Sequence, residues 1–162
     1  MKTPICEICA RTDTMCGSCE TRLRGREINQ ADVDISKLLY KKYAEINAEY
    51  LSSFLTRDFA ILSFRGNAGA IVGRGGRGAA EISTMIRKKV KIINLDNDVK
   101  KIISDILHPA ILIGINEIFA SDGEIYKIRV GKKDLSRLPI EIGSLEKLFM
   151  NILSKKVRVV FE

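Results

Sequence analysis

Residues 70–83 read AIVGRGGRGAAEIS. Three apolar residues run into the turn Gly73-Arg74-Gly75-Gly76. An apolar register then resumes at Ala79, Ile82, Met85 and Ile86, spaced as on one face of a helix. Arg74 and Arg77 flank the glycines, so bare backbone N–H groups sit between two guanidinium groups. That combination suits a phosphate.

Two ligands compete for such a turn. The string Gly73-x-Gly75-x-x-Gly78 matches a dinucleotide fingerprint, and Asp96 falls near the position of a ribose-binding acid. Against it, Ala70-Ile71-Val72 is short for a buried central strand, and two arginines crowd the pyrophosphate position. No Lys-Ser or Lys-Thr follows the glycines, which excludes a P-loop. The other reading is a helix–turn–helix with a GXXG loop, where the glycines let a single-stranded nucleic-acid backbone approach closely. The first turn of the following helix and the flanking arginines would then face the phosphates. A glycine turn that only joins two packed helices is a third possibility.

Composition narrows the field. The chain has 162 residues, 46% of them hydrophobic and 29% charged, as expected of a globular protein. Its net charge of +7 favours a polyanionic partner. Between Gly73 and Lys91 lie Arg74, Arg77, Arg87, Lys88, Lys89 and Lys91 against Glu81 alone. No apolar run approaches the roughly 20 residues that span a bilayer. The opening MKTPICEIC lacks the apolar core of a signal peptide, so a cytoplasmic protein without membrane partners is expected.

Four cysteines form C-x2-C pairs, Cys6 with Cys9 and Cys16 with Cys19. Two intervening residues let both sulfurs of a pair reach one tetrahedral ion. In a reducing compartment clustered thiols favour a metal over disulfides, and four thiolates favour zinc as one structural ion. An iron–sulfur cluster or two redox-active disulfides share the spacing.

Along the chain, a short basic helix from Glu20 to Arg24 stops at Gly25, and Asn29 caps the next helix with Asp32 in its first turn. Strands are expected at 46–54, Phe59–Phe64 and Val90–Leu95. A helix beginning near Asn97 runs to Pro109. Strands around Ile111–Ile115 and Tyr126–Val130 flank the turn Ser121-Asp122-Gly123. Asp134–Ile142 has no clear reading. A helix carries Leu145, Leu148, Phe149 and Ile152, and Val157–Phe161 is the last strand. The body therefore reads helix–strand–strand–short helix–helix–strand twice, an α+β fold. The expected divisions are a cysteine module at 1–28 and domains at 29–96 and 97–162.

This order is the type II KH arrangement, and residues 31–162 resemble the tandem KH unit of archaeal NusA-like proteins. Those are relatives of the bacterial transcription elongation and termination factor NusA. The resemblance is carried by AIVGRGGRGAAEIS, KKVKIINLD, NDVKKIISDIL and His108-Pro109-Ala110. The segment ICEIC…CGSCETRL looks like the zinc-binding extension of some archaeal members. The resemblance implies a non-enzymatic protein that holds single-stranded RNA beside RNA polymerase. A ribosome-associated protein on ribosomal RNA of the small subunit would use the same parts, and a protein scaffold or a nucleotide-dependent enzyme are more distant alternatives.

Candidate RNA-binding residues are Ile71, Gly73, Arg74, Gly75, Gly76, Arg77, Arg87 and Lys88. The second domain departs from the pattern. Leu138–Gly143 reads LPIEIG, in which Pro139 has no N–H and Glu141 repels phosphate, so its loop is expected to be degenerate. Lone His108 reads as a capping or packing residue, with no nucleophile pattern beside it.

Overall fold

Ala60 to Phe64 are all buried, a run apolar except for Ser63 and of the kind found in a sheet's central strand. In the computed structural model, which describes residues 1–121 and 123–162, this run is the middle strand of a three-stranded sheet. The chain divides into two compact units, Met1–Asp96 and Asn97–Glu162.

The first unit opens with α1 (Glu7–Arg11), α2 (Gly17–Arg24) and α3 (Gln30–Tyr43). Strands β1 (Ala48–Leu55) and β2 (Phe59–Gly66) follow, then α4 (Ala68–Val72), a 3-10 turn at Arg74–Gly76, α5 (Arg77–Ile86) and β3 (Lys89–Asn94). β1 pairs antiparallel with β2, and β2 pairs parallel with β3, Ala60 opposite Val90 and Phe64 opposite Asn94. Ile35 and Leu39 of α3, Ile71 of α4 and Ile82 of α5 close one core over Tyr50, Leu62 and Phe64.

α3 starts where expected. Asp32 N donates to Asn29 Oδ1 and Asn29 N to Asp32 Oδ2, both at 3.0 Å, forming a capping box. Asp32 is also the polar centre of the unit. It is 2% exposed, and its Oδ1 accepts from Tyr50 Oη (2.6 Å), Ser53 N (2.8 Å) and Ser53 Oγ (2.7 Å). The buried carboxylate is thereby satisfied and fixes α3 to β1. Burial, then the Asp32 charge, holds the Tyr50 hydroxyl well above its ordinary pKa, so it stays a donor.

The cysteine segment shares this unit. Ile5, Cys9, Ala10, Cys19 and Ile28 pack with Val33 of α3, and Tyr40 lies against them. Lys2 extends the sheet edge, its N–H donating to Ala48 O (3.0 Å) and its carbonyl accepting from Tyr50 N (2.9 Å).

The second unit repeats the strand order. α6 (Val99–Leu107) precedes β4 (Leu112–Ala120) and β5 (Gly123–Val130), and α7 (Ile142–Leu153) precedes β6 (Lys156–Phe161). β4 and β5 are antiparallel, and β5 and β6 are parallel. α6 begins two residues after Asn97, because Asp98 is the cap and accepts from Lys101 N at 2.9 Å. His108 is the residue that closes α6. Asp122 of the expected hairpin turn lies outside the described residues. The unread stretch holds a 3-10 helix, Lys132–Arg137, around wholly buried Asp134. Asp134 accepts from Ile111 N (3.3 Å) and Arg137 Nη1 (3.2 Å). Among the described residues no helix is long and apolar enough to cross a membrane.

Candidate functional site

Gly73, Gly75 and Gly76 have φ of 71°, 61° and 74°, a left-handed region that L side chains rarely adopt. The backbone can therefore reverse between α4 and α5 only because these positions are glycine. A Cβ on Gly75 or Gly76 would meet nothing within 4 Å, so the turn stands open. Arg74 and Arg77 are exposed beside it. Gly76 is the left-handed cap of α5, and no side chain among the described residues caps that helix's first turn. The Gly76 N–H donates to the Gly73 carbonyl (3.2 Å) and the Arg77 N–H to the Arg74 carbonyl. What the helix start offers an anion is therefore the positive end of its dipole beside the two guanidinium groups.

Gly78 has a different task. It is buried, and a Cβ there would drive into the Ile71 carbonyl oxygen and lie 3.0 Å from the Tyr43 hydroxyl. The glycine lets α5 cross α4 at backbone contact and seats the end of α3 against both.

The predicted site residues do not all meet. Gly73, Arg74, Gly75, Gly76 and Arg77 share the turn. Ile71 is wholly buried in the core, so the expectation that it touches RNA is corrected: it braces the turn from beneath. Arg87 and Lys88 lie past the other end of α5, about 15 Å away for a helix of 10 residues. Lys88 Nζ there donates to the carbonyls of Thr56 (2.7 Å) and Arg57 (2.8 Å), closing off the β1–β2 turn. Arg87 is exposed, with a left-handed φ of 56°.

The dinucleotide alternative fails on connectivity. Its fingerprint requires a strand leading into the glycines, and here a helix does. Asp96, the would-be ribose ligand, instead accepts from Gly66 N at 2.7 Å.

The four cysteines converge. Cys6 and Cys16 are the cap residues of α1 and α2, which places Cys9 and Cys19 in the respective first turns. Cys16 N donates to Cys9 Sγ (3.1 Å) and Cys6 N to Cys19 Sγ (3.5 Å), so each pair steadies a sulfur of the other. The sulfurs lie within 4.8 Å of one another, Cys6 and Cys9 at 3.3 Å. A tetrahedral ion with metal–sulfur bonds of about 2.3 Å sets its sulfurs about 3.8 Å apart, so the cluster fits a single structural metal. In the thiol form the Cys16 N–H favours a Cys9 thiolate, but burial and the neighbouring thiols outweigh it and push Cys9 up to about 12. The Cys19 N–H, helped by the thiols of Cys19 and Cys9, brings Cys16 down to about 7. A metal therefore has to displace protons. Sequence reading grouped the same four cysteines but missed α1, which is too short to show periodicity.

In the second unit, a 3-10 helix and the stretch to Glu141 join β5 to α7. Among the described residues no left-handed glycine lies between β5 and β6, and Gly143 sits inside α7.

No protein-family model matches the chain, and no curated protein matches its sequence. A solved structure described as "Crystal structure of APE1850" is similar at 20% identity and a TM-score of 0.46. That match covers 65% of this chain and 79% of that one.

Proposed function

We propose that this chain is a non-enzymatic protein that binds single-stranded RNA, built from two type II KH-like domains. The RNA backbone is held at Gly73–Gly76. The observation that carries this reading is the open glycine turn between two short helices, with exposed Arg74 and Arg77 and an uncapped helix start behind it. The strand pairing supports it, since each unit has one antiparallel and one parallel pair in the order a type II KH domain uses. Phosphate oxygens approach the glycines, and the arginines neutralise the charge. The four thiolates hold zinc. With every coordination position filled by protein, the ion is structural and leaves no site for water. The resemblance to NusA-like proteins points to work on nascent transcripts beside RNA polymerase.

The test is binding of labelled single-stranded RNA. Wild-type protein is expected to bind with a salt-dependent affinity, and Arg74→Asp/Gly75→Asp to lose it. The melting temperature of that variant is lowered only by the strain of a side chain at the left-handed Gly75, while Arg74→Glu/Arg77→Glu loses binding with the melting curve unchanged. Equal affinity of wild type and both variants would defeat the loop assignment. For the process, co-sedimentation of native protein with RNA polymerase is expected, and sedimentation with small ribosomal subunits instead would move the function to ribosomal RNA.

A further inference from the structure

The first unit carries a second concentration of positive charge that the glycine turn does not use. An open recess between the end of α1 and the outer face of α3 is walled by Arg11, Asp13, Lys37, Tyr40 and Lys41. One of its basic groups, Arg11, is held in place. The Arg11 guanidinium lies 5.2 Å from the Tyr40 ring centre, and its Nε donates to Glu7 Oε1 at 2.8 Å. The ring itself is anchored, because Tyr40 Oη donates to the Met1 carbonyl at 3.0 Å.

Lys37 and Lys41 are one turn apart on α3, where like charges repel. No carboxylate among the described residues forms an ion pair with either. Asp34, one turn earlier, accepts from Gln30 Nε2 at 2.9 Å. The adjacent Lys42 differs, since it pairs with Glu81 of α5. The protein thus pairs the lysine that joins two helices and leaves Lys37 and Lys41 without an ion pair among the described residues, facing a recess whose one acid is Asp13. An anion seated there relieves the repulsion.

The recess and the glycine turn lie along one helix. α3 ends at Tyr43, whose hydroxyl is packed at Gly78 in the first turn of α5. Lys37 is about 9 Å back along α3 from Tyr43. Lys37 and Lys41 lie on the opposite side of α3 from Lys42 and Tyr43, so RNA must pass around that helix to reach them. Only a strand longer than the about four nucleotides a GXXG loop clamps can do so.

We propose that the α1–α3 recess binds the phosphates of RNA continuing from the Gly73–Gly76 turn, so that the cysteine module is part of the RNA path. This rests on the reading of that turn as an RNA-binding loop. Arg11 reaches the recess because α1 is fixed by its cysteines, which gives the module a task besides stability.

The test compares oligouridylates of about 5 and about 12 nucleotides by fluorescence anisotropy with the full chain. For Lys37→Glu/Lys41→Glu the account expects at least a tenfold loss for the longer RNA and a change within about twofold for the shorter. The salt slope for the longer RNA should fall by about 1.4, two contacts at about 0.7 each. Lys37→Gln/Lys41→Gln, a milder change to α3, should lose about threefold. Lys100→Glu/Lys147→Glu changes the net charge equally in the second unit and should match wild type. Unchanged binding of the longer RNA by the Lys37/Lys41 variants, or an equal loss in the Lys100/Lys147 variant, overturns the recess while the loop stands. Arg74→Asp/Gly75→Asp should weaken both lengths; if it leaves the shorter RNA bound, the loop reading fails and the recess proposal fails with it.

Discussion

Between β2 and β3 the chain passes through α4, a turn of left-handed glycines and α5; between β5 and β6 it passes through a 3-10 helix and α7. Both routes join parallel strands in sheets of the same order. The crossover therefore does not need the glycine turn, since the second unit closes without one. Gly73, Gly75 and Gly76 hold a backbone conformation in the first unit that other residues rarely adopt, and nothing packs against Gly75 or Gly76 that would explain it. Exposed, conformationally demanding and flanked by arginines, the turn has the features of a contact surface. The corresponding stretch of the second unit is packed around Asp134 and presents Glu141 where an anion would be repelled.

Denying the four cysteines their proposed metal should divide the two units most sharply. Binding to four cysteines contributes on the order of 10 kcal/mol. Chelation, or Cys9→Ser, is expected to strip hydrogen-exchange protection from α1 and α2 while α6 and α7 keep theirs. Uniform loss across both units would show that the cysteine cluster supports more than the first.

The buried carboxylates come next. Asp32→Ala strands Tyr50 Oη, Ser53 and the cap of α3, and should cost about 4 kcal/mol. Asp134→Ala removes fewer partners and should cost about 2 kcal/mol. Denaturant titration of each variant decides whether the two acids are unequal in this way.

Glycine substitutions sharpen the contrast further. Gly78→Ala forces α4 and α5 apart and should cost about 3 kcal/mol. Gly143→Ala sits in a helix with open space around it and should stabilise by about 0.5 kcal/mol. Thermal melts that rank the pair the other way would contradict the packing described at Gly78.

A smaller effect belongs to the second unit alone. Hydrogen bonds from Arg129 hold the Glu162 carboxyl below its usual range. Its contribution is present above the unfolded carboxyl's titration and is lost as pH falls through the lowered folded value. Glu162→Gln should flatten the acid side of the stability profile slightly, since both groups are partly exposed. A steeper acid loss in that variant would contradict the pairing.

The strands and longer helices were legible in the sequence because their apolar spacing is local, as in Phe59–Phe64 and α3. The cysteine cluster was legible from spacing for the same reason. Other features were not. Lys2 pairs with Glu49, a contact far along the chain that no local pattern announces. The run of cations from Arg74 to Lys91 looks like one patch in sequence, but α5 carries Arg87 and Lys88 to its far end and uses Lys88 to close a turn. Ile71 adjoins the glycines in sequence, yet burial decides its role. A five-residue helix such as α1 has too few positions to show a period, and its start is set by a cysteine.

On the proposed reading, RNA binding falls on the first unit's glycine turn. The direct measurement is the affinity for one single-stranded RNA of Arg74→Asp/Gly75→Asp and of Lys132→Glu/Lys133→Glu, whose residues lie between β5 and α7. Each is compared with wild type at the same salt concentration. The account predicts a loss of at least thirtyfold, about 2 kcal/mol, for the first and a change within about twofold for the second. Equal losses in the two variants, or wild-type affinity in the first, would contradict it.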